Sequence, residues 1–447
     1  MKTLSDLAAD LAAGRTTSRA LVEATLAKAE EKAGEGARAF TKLYRERALV
    51  EADASDRLRK AGVVPSPLAG LPISIKDLFD VAGETTLAGS VALEGKKAAA
   101  ADATIVARLR AAGAIVIGRT NMTEFAFSGL GLNPHYGTPR NPWDRKTGRI
   151  PGGSSSGAGV SVADGMAAAA IGTDTGGSIR IPSALCGVTG FKPTAKRVPT
   201  AGCFPLSATL DSIGPLAPSV ACCALIGAVL AGEAPVVPAP LPLAGLRLGA
   251  PQLYVLDGMD ATVAATFGAA LSRLSKAGAR IVEIAFAELE SLPSINAKGG
   301  IVTAEAYAIH RRLLAEVGKR YDPRVSVRLE RGATQDAADY LDLLAARRDM
   351  IARAAAISAP FDALVMPTVP VVAPALEPLE ADDDLYAKTN ALVLRNPSVG
   401  NFLDRCALSI PCHAPGEAPV GLMLLGEHGG DRRLLSVGLA VEAALRD

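Results

Sequence analysis

PGGSSSGAG (151–159) and GTDTGGSIR (172–180) stand within thirty residues of each other. Both runs are poor in side-chain bulk, and both carry hydroxyls on backbone whose amides are left open by the glycines. Such a stretch builds little core. It suits a serine nucleophile held beside amide donors that can stabilise a developing oxyanion. Upstream, PISIKD (72–77) places Lys76 at the end of an apolar run. Leu71, Ile73 and Ile75 alternate with Pro72, Ser74 and Lys76, the period of a strand.

The pattern on either side is that of an α/β protein. A helix over Ile105–Ala112, capped by Asp102 and stopped by Gly113, is followed by a strand at Ala114–Ile117. The first serine cluster leads into a helix at Gly157–Ala163, and a strand at Met166–Ile171 runs into the second. Residues 3–60 read as helical, with Ser18 as the cap of a second helix. Val220–Ala231 reads as a buried helix, too short to span a bilayer.

Four segments are expected: an N-terminal helical segment (1–65), a core (66–232), a linker with strand–helix–strand and a helical insertion (233–359), and a C-terminal return to the same sheet (360–447). The Pro-rich Glu233–Pro242 is the linker. The second strand–helix–strand passage covers Arg247–Ala250, Ala261–Ala277 and Arg280–Ile284, and late strands fall at Phe361–Met366 and Val420–Leu425. Together the four segments form one compact domain.

Composition narrows the function. Of 447 residues, 49% are apolar and only 4% aromatic, so the core is aliphatic. Lys and Arg number 47 against 46 Asp and Glu, with no long run of either sign. Nucleic-acid binding, which leaves a basic stripe, is not expected. Six cysteines and four histidines show no metal-ligand spacing, so no metal or cofactor is expected and the thiols read as reduced. The opening MKTLSDLAADLAAG has no sustained apolar stretch. No signal peptide is expected there, and a cytoplasmic protein without membrane attachment follows.

Amide cleavage by a serine needs a base for the hydroxyl proton, donors for the oxyanion and an acid for the leaving nitrogen. His135, His310, His413 and His428 all lie outside the clusters. A lysine can replace histidine as base if burial lowers its pKa toward neutrality. G-x-S-x-G at 153–157, centred on Ser155, matches a nucleophile elbow, but the loop-like RKTGRIPG before it supplies no strand.

PISIKD, GGSSSG and GTDTGGSIR, in this order, resemble the amidase signature family of serine hydrolases. TNMTEF (120–125), CGVTGFKPT (186–194), LDSIGPLA (210–217), FDALVMPT (361–368) and APVGLMLLG (418–426) extend the resemblance. It implies a central mixed, twisted β-sheet covered by helices on both faces, with a helical insertion. It further implies a Ser–cis-Ser–Lys triad of Ser178 as nucleophile, Ser154 as cis-serine relay and Lys76 as base. The amides of Thr175, Gly176, Gly177 and Ser178 would form the oxyanion hole. Ser155 and Asp174 would hydrogen-bond the lysine and the nucleophile loop, and Arg180 would lock that loop.

The expected substrate is a small or medium amide or anilide, with esters and carbamates sharing the acyl-enzyme chemistry. The resemblance places specificity mainly in the stretch from about 120 to 150 and in the helical insertion from 290 to 405. Met122, Phe125, Phe127, Gly129, Leu130, Leu132, Tyr136, Ile150 and Cys203 are candidates for the wall of an apolar pocket, and EADDDLYAK (380–388) for a lid or a surface loop. The family also contains the glutamine-hydrolysing subunit of a tRNA-dependent amidotransferase, the competing reading. A homodimer is left open.

Overall fold

In the computed structural model, which describes residues 1–446, the two glycine–serine runs flank the middle of a single sheet. Among the described residues eleven strands build it. They are β1 (Phe40–Leu43), β2 (Pro72–Lys76), β3 (Ile115–Thr120), β4 (Ala169–Asp174), β5 (Thr189–Lys192), β6 (Ser212–Ala217), β7 (Arg247–Pro251), β8 (Arg280–Ile284), β9 (Ala363–Pro367), β10 (Ala407–Pro411) and β11 (Gly421–Leu425). Their order across the sheet is β1-β3-β2-β4-β6-β5-β10-β11-β9-β7-β8. Helices flank the sheet. Pairing is mixed: β2 runs parallel to β3 and β4, and β7 parallel to β8 and β9, while the remaining neighbours are antiparallel. Strands from every quarter of the chain enter this one sheet, so one hydrogen-bonded layer joins both sides of the Pro-rich stretch after residue 232.

β2 and β4 position the chemistry. β2 is buried at all five residues because both its edges are paired and both its faces are covered. Its apolar residues alternate as the period predicts, and its polar residues find buried partners. Ser74 Oγ lies 3.1 Å from Ser161 Oγ on the helix Ser156–Ala163. That helix is made of small residues because it sits hard against the sheet and the N-terminal segment. A Cβ at Gly157 would lie 2.1 Å from the Ala39 carbonyl oxygen, a contact that no rotamer change relieves.

Several local expectations change in the tertiary context. The 3–60 segment is interrupted by β1, which pairs antiparallel with β3; the sheet edge offered by β3 outweighs the helical propensity around Phe40. Thr17, not Ser18, caps the second helix, accepting from the Ala20 amide, while Ser18 Oγ donates to the Gly70 carbonyl. Asp102 caps no helix. It accepts from the Ala82 amide and pairs with Arg110, and the helix Thr104–Ala111 starts after Ala103. Residues 380–388 are not a loop: they end the helix Leu376–Ala381 and open the helix Asp383–Phe402, where Asp382 accepts from the Leu385 amide. The acidic run is thus capping chemistry, with acids at a helix N-terminus. Among the described residues no helix is long and apolar enough to cross a membrane.

Candidate active site

β2 and β4 are parallel with Ile75 opposite Ile171, so their C-terminal ends meet at one edge. Lys76, the last residue of β2, therefore reaches the residues that follow Ile171. Its Nζ donates to Thr173 Oγ1 at 2.9 Å and to Ser154 Oγ at 2.8 Å. Ser154 follows a cis peptide bond from Gly153. Ser155 bonds through its amide to the Ser178 carbonyl at 3.3 Å, which ties the two serine runs together. Lys76, Ser154 and Ser155 are wholly buried, and Ser178 is 4% exposed.

Burial dominates the electrostatics of Lys76. It lowers the pKa from the ordinary 10.5 to about 7, and the nearby Cys203, Asp211 and Asp174 only partly oppose that. At neutral pH a large fraction of this amine is uncharged and able to accept a proton.

Asp174 behaves in the opposite way. Burial raises its pKa, but the adjoining Arg180 more than compensates and holds the carboxyl well below its ordinary range. Asp174 accepts from Arg180 Nε and Nη2 at 3.0 and 2.8 Å, from the Gly177 and Ile179 amides, and from Asn401 Nδ2. Arg180 also donates to the Pro397 carbonyl and to Asn401 Oδ1. This network anchors the TGGS turn to the helix Asp383–Phe402. Both partners are fully buried, so Arg180→Met leaves a carboxylate without its counter-charge. We expect a stability loss of about 3–5 kcal/mol, read as a lowered unfolding midpoint in urea.

The backbone amides separate into two groups. Gly177 N–H is occupied by Asp174 Oδ1 at 2.9 Å. The amides of Thr175, Gly176 and Ser178 have no acceptor among the described residues. These same three residues line a cavity of about 610 Å³, the one onto which Ser178 opens. Thr175 is fixed from behind, its Oγ1 donating to Asp211 Oδ1 at 2.5 Å. Asp211 also accepts from the Leu206 and Ser207 amides.

The cavity is not walled by most of the residues the sequence suggests. Met122, Phe125, Gly129, Tyr136, Ile150 and Cys203 are absent from its lining, as are Leu130 and Leu132; Phe127 is on it. Phe125 stands behind the wall in an aromatic cluster with Phe204, His310 and Tyr321, at centroid distances of 5.3, 4.5 and 4.9 Å. Leu130, Leu132 and Ile150 fill a separate core cluster. Gly129 is closed off by Ile181 and Leu394. Met122 gives its carbonyl to Asn133, Tyr136 its amide to the same residue, and Cys203 pairs with Phe79 in a β-bridge. Beside Ala126–Ser128, Leu206 and Leu210, most of the wall comes from the region after residue 250, including Tyr254, Leu292, Ile301, Arg328, Leu394 and Phe402. Sequence reasoning also missed Thr173, the second partner of Lys76. The parallel register is the signal that finds it. Ser155, expected beside the lysine, instead directs Oγ to the Thr173 carbonyl. No group of three His, Cys, Asp or Glu side chains is placed to hold a metal ion among the described residues.

Residues 20–435 match the family model described as Amidase. The chain belongs to the amidase family. Its relatives in that family are amide hydrolases, and this chain is an enzyme of that class. It is 39% identical to a 2-amino-5-chloromuconic acid deaminase of Comamonas testosteroni, over 89% of this chain and 87% of the relative. To a glutamyl-tRNA(Gln) amidotransferase subunit of Chloroflexus aggregans it is 36% identical, over 97% and 94%. A crystal structure of an amidase superposes with a TM-score of 0.88 at 33% identity, covering 99% of both chains. The amidase fold therefore extends through the region after residue 250, where most of the cavity wall lies.

Proposed function

We propose that this amidase hydrolyses a carboxylic amide C–N bond through an acyl-enzyme, with Ser178 as nucleophile, Ser154 as relay and Lys76 as base. The observation that carries the reading is the buried Lys76–Ser154 pair, tied through the Ser155 amide to Ser178, which lines the cavity with Thr175 and Gly176. The Ser178 hydroxyl gives its proton to Ser154 Oγ as the Ser154 proton passes to Lys76 Nζ; a hydroxyl rotor serves either polarity of the 2.8 Å contact. Ser178 Oγ then bonds to the carbonyl carbon, and the amides of Thr175, Gly176 and Ser178 receive the oxyanion. Gly177, spent on Asp174, shapes the turn instead. As the C–N bond breaks, Ser154 returns a proton to the nitrogen and is reprotonated by Lys76. Water repeats the relay to release the acid.

Thr173 Oγ1 is the second acceptor that holds Lys76, and Arg180 with Asp174 keeps the turn in place. The test is covalent. A fluorophosphonate is expected to add to Ser178, located by peptide mass; an adduct confined to another serine would move the nucleophile. Amides, anilides, esters and carbamates assayed side by side then rank the acyl chemistry. A second reading, a glutaminase-type component working inside an assembly, is supported by the 36% identity to the amidotransferase relative. The isolated chain separates the two, since hydrolysis without a partner favours the free-standing enzyme.

A further inference from the structure

Among the described residues two charged side chains line the cavity of Ser178, both arginines, and no carboxylate does. They differ in what they touch. Arg395 is used internally, donating to the Val255 and Asp257 carbonyls and to Asn396 Oδ1. Arg328 makes no hydrogen bond and no ion pair among the described residues, and its Nη1 is buried without a partner. Its guanidinium is nonetheless held in place, 4.6 Å over the ring of Phe127, another residue of the cavity wall. Arg328 as a whole is half-buried at the cavity wall, and a guanidinium nitrogen withdrawn from water without a partner ordinarily finds an anion.

A second feature has the same sign. The helix Gly300–Val317 begins at the cavity, where Gly299, Gly300 and Ile301 are part of the lining. Gly299 supplies no side chain to cap it, so the first amides and the positive end of an 18-residue helix are left without a side-chain acceptor.

We propose that the substrate of this cavity is an amide that also carries a carboxylate, and that Arg328 recognises the carboxylate. The proposal rests on the amide-hydrolase reading of the site. It narrows the expected aryl and alkyl amides to their acidic members. The apolar residues around Arg328 would take the carbon skeleton between the two groups. A guanidinium fixed over an aromatic ring suits bidentate pairing with a planar carboxylate, which lysine cannot copy.

Binding to the Ser178→Ala variant isolates recognition from turnover. Succinamate, glutaramate and terephthalamate would each be titrated calorimetrically against the matching diamide, which replaces the carboxylate by a neutral carboxamide. At least one acid is expected to bind tenfold or more tighter than its diamide, on the order of one charge-assisted pair. Adding Arg328→Met should weaken that acid by roughly 10–100-fold and its diamide by much less. Arg328→Lys should restore part of the loss, which also controls for folding. The proposal is overturned if no acid outbinds its diamide, or if Arg328→Met weakens both members of a pair equally. Labelling of wild-type Ser178 by an uncharged fluorophosphonate tests the hydrolase reading separately, because that reaction needs no carboxylate.

Discussion

Ser178→Ala is expected to lower kcat by at least about 10³-fold on every substrate class, amides and esters alike. The reason is geometric. Ser178 is the serine of the two runs that lines the cavity, beside the free amides of Thr175, Gly176 and Ser178. Ser154 is committed to Lys76 and Ser155 to the Thr173 carbonyl, and neither lines the cavity. Thr175, which shares the cavity, commits its hydroxyl to Asp211, and Ser156 gives its own to the Asn121 carbonyl, so no other hydroxyl of the two runs is free to take over the attack. The fold should persist, since Ser178 holds its neighbours through backbone. Steady-state assays on purified variant and wild type, with matching unfolding curves, check both halves. Retention of a tenth or more of wild-type kcat on any amide would place the nucleophile elsewhere.

Lys76 carries the second large effect, and it is set by pH. A base must be uncharged to accept the proton from Ser154, and burial brings the Lys76 pKa to about 7. kcat/KM should therefore be flat above neutrality and fall about tenfold per pH unit below roughly pH 7, the slope of one essential deprotonated group. An unperturbed lysine, with its pKa near ~10.4, would put that limb in strongly alkaline solution. Lys76→Ala should lose about 10²–10⁴-fold of activity, the size of general acid–base assistance. It should also remove the acid limb near pH 7.

The same shift acts on stability. Between about pH 7 and the ordinary 10.5 the unfolded chain keeps a proton that the folded chain has lost. Stability from this residue therefore rises with pH through that window, and falls as pH drops toward 7. Lys76→Met should flatten that part of the stability curve. A kcat/KM profile whose limb stays near pH 7 in Lys76→Ala would assign the titration to another group.

Much of the site can be read directly from the chain because its chemistry is local. Gly176, Gly177 and Ser178 are consecutive residues, and Asp174 reaches Arg180 and the Gly177 amide within one turn. Short-range constraints of that kind leave their mark in composition. Strand β2 was legible for a similar reason, since a period-2 run ending in a charge needs no partner to be noticed. The cavity wall was legible by segment, in 120–150 and 290–405, but hardly by residue. Phe125 and Ile150 are apolar and close in sequence to the serine runs, yet they pack into core behind the wall. Leu292, Ile301 and Arg328 lie more than a hundred residues from Ser178 and face it. Apolar character says that a side chain avoids water; it does not say whether it borders core or cavity.

By itself, then, the sequence determined the kind of bond this protein is built to break. The two glycine–serine runs and the strand-end lysine, in the order that resembles the amidase signature, pointed to amide cleavage. Tertiary structure decided the rest, because the deciding quantities belong to no single segment. Parallel pairing of β2 with β4 set Lys76 against Thr173 and Ser154, and complete burial lowered its pKa into the working range. The choice of which amides stay free came from Asp174 taking that of Gly177. The positive charge on the cavity wall came from Arg328 and Arg395, of which Arg328 has no hydrogen-bond partner among the described residues. Hydrogen-bond chemistry over a few residues is written along the chain, whereas dielectric, exposure and unsatisfied charge arise only when distant segments exclude water together.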